Sequence, residues 1–261
     1  MCLVAIAWKT HPRWRLLMAG NRDEWHARPT AALACWTDSG IRAGRDLQSG
    51  GTWMGLDGRG RAAVVTNVRD PFATTIGPSR GGLPTGFLET AAGAPAHVEA
   101  LAAEANAFAP FNLLVADAGA CVYLGNHPRV ERRAIAPGVH GMSNGGFDVA
   151  WPKTRMLCSV MEKWIESGHG DFDPLWNALA DGRIAPDAEL PDTGIGLEKE
   201  RMLSAAFIRG PTYGTRASTI IAVDHEGKGW IHERRFGPEG VFLGETRLRN
   251  DDAPMPDVGA T

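Results

Sequence analysis

The sequence lacks the features that mark several large classes of protein. Its 27 lysines and arginines are offset by 30 aspartates and glutamates, which gives a formal net charge of −3 without a basic stripe, so nucleic acid is not an expected partner. No apolar run approaches the roughly 18 residues that cross a bilayer. The first residues have neither the basic region nor the small-residue cleavage site of a secretory signal. These absences predict a cytoplasmic protein that does not span a membrane.

Cysteine is scarce, and its spacing excludes the usual cysteine motifs. The four cysteines stand at positions 2, 35, 121 and 158, with no C-x-x-C pair and no zinc-finger spacing. In the cytoplasm, unpaired cysteines of this kind are expected to be free thiols. We therefore predict no metal site and no disulfide.

The 261 residues are 44 % hydrophobic and 22 % charged, which is ordinary for a globular chain. Because no linker or internal repeat interrupts the pattern, we predict a single domain over residues 1–249. Residues 250–261 have little to bury and are predicted to form a frayed tail.

Short apolar runs separated by Gly, Asp and Pro turns predict antiparallel strands. The predicted strands are Leu3–Trp8, Trp14–Ala19, Thr52–Leu56, Arg61–Asn67, Asn112–Ala116, Cys121–Leu124, Gly138–Ser143, Ser218–Val223, Gly229–Arg235 and a less marked one in Gly237–Arg249. Helices are predicted over Pro84–Phe108, with a break near Gly93, over Lys153–Glu166 and over Pro174–Ala180, and a loop over Gly182–Glu200. The order of these elements predicts an α+β protein whose sheets pack with helices outside.

Cys2 is the first residue that points to chemistry, because it directly follows the initiator methionine. Removal of Met1 would leave a thiol and a free α-amine on one Cα. Such an amine has a reference pKa of roughly 7.7–8, so one residue would supply both nucleophile and base. Retention of Met1 would remove the base. The alternative is that Cys2 is a small buried residue that opens a strand.

Polar clusters beside predicted strands are the places where a scaffold presents functional side chains. Four such clusters stand out: residues 21–24 (NRDE), 66–70 (TNVRD), 141–146 (GMSNGG) and 211–219 (PTYGTRAST). The third contains Gly141-x-Ser143-x-Gly145, which matches the nucleophile elbow of serine hydrolases. That elbow requires a helix immediately after the serine, and no helix start follows here. The serine-hydrolase interpretation is therefore not favoured.

Together the motifs resemble a known family. They comprise Met1-Cys2, Asn21-Arg22-Asp23-Glu24, Arg28-Pro29, Gly50-Gly51-Thr52-Trp53-Met54-Gly55, Thr66-Asn67, Phe111-Asn112-Leu113-Leu114, Gly141-Met142-Ser143-Asn144, Trp151-Pro152-Lys153 and Tyr213-Gly214-Thr215-Arg216. In this order, from residue 1 to about residue 236, they are similar to the NRDE protein family, whose eukaryotic members are called transport and Golgi organisation protein 2.

This family in turn resembles the N-terminal-nucleophile (Ntn) hydrolases, in particular choloylglycine hydrolases and penicillin V acylases. The resemblance implies a four-layer αββα sandwich of antiparallel sheets and cleavage of a non-peptide amide bond. The site residues that it implies are Cys2, Arg22, Asp23, Asn67, Asn144 and Arg216. Cys2 would be the nucleophile.

The implied roles are chemically coherent. Arg22 would lower the pKa of the Cys2 thiol, and Asp23 would orient the α-amine. Asn67 would face the developing oxyanion together with a backbone N–H. Glu24 lies outside the hydrolase pattern and has no assigned role.

Asn144 and Arg216 each have two implied roles. Asn144 would hold the Cys2 amine or the substrate carbonyl. Arg216 would hold the Arg22–Asp23 pair in place or bind a substrate carboxylate in bidentate geometry.

Two functions follow from the same cavity. The first is an amidohydrolase for a small amide or acyl conjugate, which needs no cofactor. The second is a non-enzymatic carrier of haem, lipid or acyl-CoA, because one fold hosts unrelated functions. Haem would need an axial ligand, for which His26 and His140 are the histidines closest to the motifs. Trp25 and Trp53 are the expected pocket walls, and the sequence leaves the oligomeric state open.

Overall fold

The computed structural model describes residues 2–73, 76–168 and 170–252. These residues form thirteen strands, which are β1 (Cys2–Trp8), β2 (Trp14–Trp25), β3 (Thr30–Cys35), β4 (Arg42–Asp46), β5 (Met54–Leu56), β6 (Ala62–Asn67), β7 (Phe111–Ala116), β8 (Cys121–Gly125), β9 (Glu131–Ala134), β10 (Gly138–Met142), β11 (Tyr213–Asp224), β12 (Gly229–Phe236) and β13 (Phe242–Arg249). Their α-helices are α1 (Gly82–Glu89), α2 (Ala94–Ala102), α3 (Pro152–Ser167), α4 (Asp173–Leu179) and α5 (Leu197–Ser204).

The strands form two antiparallel sheets. The first has six strands in the order β10-β1-β2-β11-β12-β13 and thus joins the two ends of the chain. The second has seven strands, β3 to β9, that follow one another in sequence order. Each strand of the second sheet therefore pairs with its neighbour in the chain.

Three hydrophobic clusters arrange the sheets and helices as four layers. One cluster lies between the sheets and includes Val4 and Ile6 of β1 with Val64 of β6. A second packs the other face of the first sheet, including Leu3, against α3 and α4. The third packs the second sheet against α1 and α2. This confirms the α+β prediction with helices outside paired sheets.

Alternation along each strand assigns its residues to the two faces of the sheet. In β1 the even-numbered residues face the second sheet, and the odd-numbered residues face the helices. Because both faces are covered, β1 is buried along its whole length, which explains why its sequence is continuously apolar rather than alternating.

Helix α3 illustrates how the local sequence fixes an element. Its predicted apolar stripe is real, since Leu157, Met161 and Trp164 are all buried against the first sheet. Pro152 occupies the first turn, where a proline loses no hydrogen bond. The helix ends at Gly168, whose φ of 66° is the left-handed conformation typical of a helix C-terminus.

The structure adds elements that the sequence pattern did not predict. Strands β3, β4 and β9 were not predicted because they are alanine-rich or polar, and β9 is exposed throughout. The predicted loop over Gly182–Glu200 is wrong at its end, because α5 begins at Leu197.

Two strands are longer than predicted, and this changes where the motifs lie. Strand β2 continues past Ala19 to Trp25, and β11 begins at Tyr213 rather than Ser218. The NRDE and YGTR motifs therefore lie within paired strands and not after them. Pairing extends this far because β11 is hydrogen-bonded to β2 up to Trp25.

The end of the described chain is packed. Asn250 is buried, and its side chain accepts a hydrogen bond from Gly229 N and donates one to the carbonyl of Gly227. Arg42 also donates to the carbonyl of Asp252. The packed chain thus extends past the predicted boundary at residue 250, and residues 253–261 of the predicted tail lie outside the described residues. In the described part of the chain, none of the helices combines the length and apolarity of a membrane span.

Candidate active site

One row of residues crosses four strands of the first sheet. Cys2 of β1 is paired with Arg22 of β2, Arg22 with Ala217 of β11, and Ala217 with Arg235 of β12. Residues directly opposite one another in a sheet project from the same face. The face in question is the one that Cys2 shares with Val4 and Ile6, toward the second sheet.

A cavity of about 450 Å³ opens over this row. Its other walls come from the second sheet, including Thr52, Trp53 and Asn67, and from the segment Gly77–Gly81 that precedes α1. Of the six predicted site residues, five line this cavity, namely Cys2, Arg22, Asp23, Asn67 and Arg216. Asn144 is fully buried and does not belong to the lining.

The thiol of Cys2 is buried at the edge of the cavity. Only 7 % of the residue is exposed, and Ser143 Oγ donates a hydrogen bond of 2.8 Å to the Cys2 carbonyl. Burial raises the pKa of the Cys2 thiol, and the positive charge of Arg22 opposes this only in part. Arg22 thus acts on the pKa in the expected direction, but desolvation of the thiolate outweighs the nearby cation.

Ser143 has a structural contact rather than the role of a nucleophile. Apart from its bond to Cys2, its carbonyl accepts a hydrogen bond of 2.5 Å from Thr66 Oγ1. No helix follows it directly, because α3 begins only at Pro152. Ser143 therefore does not have the strand–turn–helix surroundings of a nucleophile elbow.

Glu24 links two arginines of the cavity. Its Oε2 lies 3.5 Å from Arg22 Nη2 and 3.9 Å from Arg28 Nε, and its Oε1 accepts a hydrogen bond from Trp25 N. Arg28 also forms a 2.7 Å ion pair with Asp46. The sequence assigned no role to Glu24. In the structure, it connects Arg22 to the turn after β2.

Asp23 follows Arg22 in the chain but bonds on the opposite face of the sheet. Its Oδ1 accepts a hydrogen bond of 2.7 Å from Thr215 Oγ1, and its backbone carbonyl accepts one from the Tyr213 hydroxyl. Burial raises the pKa of Asp23, and the positive charge of Lys153 in the first turn of α3 opposes this most strongly.

Lys153 is a buried cation that the sequence analysis did not assign to the site. It is 4 % exposed, and its Nζ has no hydrogen-bond partner among the described residues. Burial lowers its pKa, and the charge of Asp23 is the strongest opposing influence, with a smaller one from Cys2. Lys153 therefore lies within electrostatic range of both predicted catalytic groups.

The asparagines form one side of the site. Asn67 ends β6 at the cavity, and Asn144 Nδ2 donates a hydrogen bond of 2.7 Å to its carbonyl. Asn144 therefore lies behind the cavity wall, where it holds Asn67. Its predicted contact with substrate or amine stays a prediction.

Arg216 lies at a β-bulge, between the pairs Thr215–Asp23 and Ala217–Arg22. Its Nη1 donates to the carbonyls of Trp25 and Arg28 at 2.9 and 3.0 Å. It thus holds the turn after β2, and its remaining donors lie at the cavity. A bulge re-aims a side chain at a functional site in just this manner.

Several residues that line the cavity were not predicted from the sequence. Arg80 and Glu233 both line the cavity, yet one lies in an aperiodic loop and the other in an ordinary strand pattern. Trp53 is a wall as expected, whereas Trp25 is 58 % exposed, packs edge-on against Tyr213 and is not part of the lining. For Arg80 the sequence offered no signal.

Neither candidate haem histidine lines the cavity. His140 Nδ1 is hydrogen-bonded to Asp148 at 2.9 Å, and its ring is stacked on Phe147. His26 packs near Gly214. Within residues 2–73, 76–168 and 170–252, His, Cys, Asp and Glu side chains form no group suited to a metal ion.

The family model described as Transport and Golgi organisation 2 matches residues 1–238. The chain belongs to this family. The human Transport and Golgi organization protein 2 homolog is 31 % identical over 271 residues, which cover 95 % of this chain and 97 % of the human protein. The residues that line the cavity up to position 236 lie within the part of the chain that matches the Transport and Golgi organisation 2 family.

Solved structures show that the fold of this Transport and Golgi organisation 2 family member is that of the Ntn hydrolases. An orthologue of N-acylethanolamine-hydrolyzing acid amidase from Caenorhabditis elegans aligns with a TM-score of 0.52 and 11 % identity over 84 % of this chain and 92 % of that one. A variant of the conjugated bile acid hydrolase from Clostridium perfringens aligns with a TM-score of 0.54 and 9 % identity over 95 % and 92 %. At these identities the likeness concerns the fold.

Proposed function

We propose that this protein is a cysteine Ntn-type amidohydrolase that acts on a non-peptide C–N amide or acyl conjugate, with Cys2 as nucleophile after removal of Met1. The observation that carries the proposal is the position of Cys2. It opens β1, faces the cavity and is paired directly with Arg22. The structural neighbours support the fold, and two of them are named as amide- or conjugate-hydrolysing proteins.

The strand register supports a role for Asp23 beside the new amine. Cys2 is opposite Arg22, so Asp23 lies one step beyond the start of β1. An α-amine on Cys2 would therefore begin beside a buried carboxyl that Thr215 already holds. This is the arrangement in which a third group orients the base.

The amine is needed because the thiol is not activated by its surroundings. Burial raises the pKa of Cys2, so near pH 7 the thiol keeps its proton. An α-amine with a reference pKa of roughly 7.7–8 can take that proton at the moment of attack.

The chemistry then proceeds in two balanced steps. The Cys2 sulfur attacks the amide carbon while the amine takes the thiol proton, and the C–N bond breaks as the amine returns this proton to the leaving nitrogen. The product of this step is a thioester. Water then attacks the thioester carbon, loses a proton to the amine, and releases the carboxylic acid with the Cys2 thiol restored.

The oxyanion formed in both steps needs donors at the cavity. Asn67 at the end of β6 is the side chain that we assign to this role, and Asn144 fixes its backbone. Loss of one such donor typically slows turnover by about 10²–10³-fold.

The carrier alternative uses the same cavity. Haem would require an axial ligand there, and neither His26 nor His140 lines it. Cys2 is the residue left for this role among the haem-ligating types of the lining. The alternative is therefore less well supported than hydrolysis.

The test begins with the intact mass of the untagged protein, which should lack one methionine. The processed protein is then incubated with an N-acylethanolamine and a conjugated bile acid, and released amine is measured by mass spectrometry. Cys2→Ala should reduce turnover by at least about 10³-fold. The matched control is Cys35→Ala, because Cys35 is a free thiol outside the lining.

Two outcomes would contradict the proposal. The first is a native protein that retains Met1, which removes the base. The second is a Cys2→Ala variant that cleaves a substrate as fast as the wild type.

A further inference from the structure

The cavity holds more arginine than its carboxylates neutralise by direct pairing. Five arginines line it, which are Arg22, Arg28, Arg80, Arg216 and Arg235. Arg28 forms ion pairs with Asp46 and Glu24, and Glu24 is also paired with Arg22. The ion pairs formed among the described residues leave the other three arginines without a carboxylate partner.

The bonds of these three arginines leave several of their donors unused. A guanidinium has five N–H donors. Arg80 uses one for the carbonyl of Pro110, and Arg216 uses Nη1 for two backbone carbonyls. The buried Nε of Arg235 has no hydrogen-bond partner in the described part of the chain.

The arginines are held in place by the motifs of the sequence. Gly51 packs so closely on the segment before α1 that a Cβ there would lie 2.4 Å from the Gly81 carbonyl. Thr52 N also donates to that carbonyl. The Gly-Gly-Thr-Trp motif thus fixes the segment that carries Arg80, and the bulge in β11 fixes Arg216.

Arg22, which lines the same cavity, also carries a buried donor without a partner. It is 8 % exposed, and its Nη1 has no hydrogen-bond partner among the residues described. Burial lowers the pKa of Arg80 and of Arg216, the latter helped by the like charge of Arg22. The lining also holds the carboxyl groups of Asp23, Glu24, Asp46 and Glu233, so its five arginines exceed them by one formal charge, and an oxyanion in the cavity would pair with that excess.

We propose that Arg80, Arg216 and Arg235 form a subsite for an oxyanion, a carboxylate or a phosphate, borne by the substrate. We further infer that the molecule bound there presents its amide to Cys2, and this part rests on the proposed function. The substrate class is thus an acyl amide with an acidic group at a distance from the scissile bond.

The strand register gives the span of such a substrate. Cys2 and Arg235 are three strands apart in one row, so with about 4.8 Å between strands their Cα atoms are ~14 Å apart. Ala217, with its small side chain, lies between Arg22 and Arg235 and leaves room over the row. The acidic group therefore belongs several bonds away from the amide.

The test uses binding, so that it does not depend on turnover. Full-length protein with Cys2→Ser is titrated by calorimetry with 6-acetamidohexanoate, 6-acetamidohexyl phosphate and the neutral 6-acetamidohexanamide. We expect both anions to bind at least about tenfold more tightly than the neutral amide, since hydrogen bonds to charged groups are worth about 1.5–3 kcal/mol. The two anions compared with each other identify the preferred oxyanion.

Neighbouring arginines provide a matched pair of variants. Arg235→Gln removes a cavity charge, whereas Arg234→Gln removes the same charge from the opposite face, where Arg234 packs on Trp176 and pairs with Glu245. Arg235→Gln and Arg80→Gln should each weaken anion binding at least about tenfold, with the neutral probe unaffected and Arg234→Gln within about twofold of the parent. Thermal unfolding of each variant checks that the fold is kept.

The outcomes separate this proposal from the proposed function. Equal binding of anionic and neutral probes, equal effects of Arg234→Gln and Arg235→Gln, or no binding at all would overturn the subsite. Preferential anion binding by a protein that cleaves no amide would retain the subsite and reject the hydrolase.

Discussion

The two faces of the first sheet differ sharply at the end where the motifs lie. On the face toward the second sheet, Cys2 and Arg22 open onto a cavity. On the face toward α3, the carboxyl of Asp23, a residue that also borders the cavity, accepts a hydrogen bond from Thr215 beside Lys153 in a buried environment. Residues adjacent in the chain therefore have different surroundings: one face opens onto the cavity, and the other holds buried charged groups behind it.

The same alternation recurs at the other strands of the row. Arg235 lines the cavity, while Arg234 packs on Trp176 of α4. A motif such as NRDE thus supplies both faces at once, because successive residues of a strand point in opposite directions. The difference between the faces can be tested by changing one face at a time.

The largest expected difference concerns Asp23 and Arg22. Asp23→Asn keeps an oxygen that can accept the Thr215 bond but leaves the buried Lys153 without its strongest opposing charge, and it should lower the free energy of unfolding by about 1.5–3 kcal/mol. Arg22→Gln removes a 3.5 Å pair together with a buried Nη1 that has no hydrogen-bond partner among the described residues, so it should cost at most about 1 kcal/mol. Urea unfolding of both variants measures this, and equal losses would contradict the distinction between the faces.

The second prediction concerns the coupling between Asp23 and Lys153. Lys153→Met alone leaves a buried carboxylate without its strongest opposing charge, so it should destabilise the fold by about 1–3 kcal/mol. The double variant Asp23→Asn/Lys153→Met should lose less than the sum of the single variants, because no buried charge is left without its partner. Strict additivity of the two unfolding free energies would show that the pair does not interact.

The smallest expected effect is that of Arg22 on the reactivity of the Cys2 thiol. Since burial raises the pKa of Cys2, the thiolate fraction at pH 7 is small and grows with pH. Alkylation of Cys2 by iodoacetamide in protein that retains Met1 should therefore accelerate about tenfold per pH unit from pH 7 to beyond pH 9. Arg22→Gln should shift this profile to higher pH, because the positive charge of Arg22 stabilises the thiolate.

Peptide mass spectrometry separates Cys2 from the three other cysteines in this experiment. A profile that is flat with pH would contradict a raised pKa. A shift to lower pH in Arg22→Gln would contradict the assigned sign of the arginine's effect.

Much of the fold could be predicted from local patterns. The stripe of α3 and the apolar runs of β1 and β11 specify their elements, because burial of an amphipathic or apolar segment is a local demand on composition. Strands β4 and β9 could not be predicted in this way. They are polar, and their pairing with neighbouring strands, rather than their composition, makes them strands.

The sequence predicted those site residues that lie within recognisable motifs. Cys2, Arg22, Asp23, Asn67 and Arg216 meet at one cavity. Asn144 lies behind the wall because its amide bonds to Asn67. Arg80 and Glu233 were missed, since their roles arise only when the segment before α1 and strand β12 meet the motif strands. The assignment of catalytic roles to all of them stays a prediction.

The sequence by itself determined the family motifs, the residue types available for chemistry and the elements with strong hydrophobic periodicity. Tertiary structure alone decided which face of the sheet each motif residue uses, and it turned the pKa of Cys2 upward although a cation is its direct strand partner. The physical reason is that register and burial depend on strands far apart in the chain. The cost of desolvating the buried Cys2 thiolate then outweighs its attraction to the positive charge of Arg22.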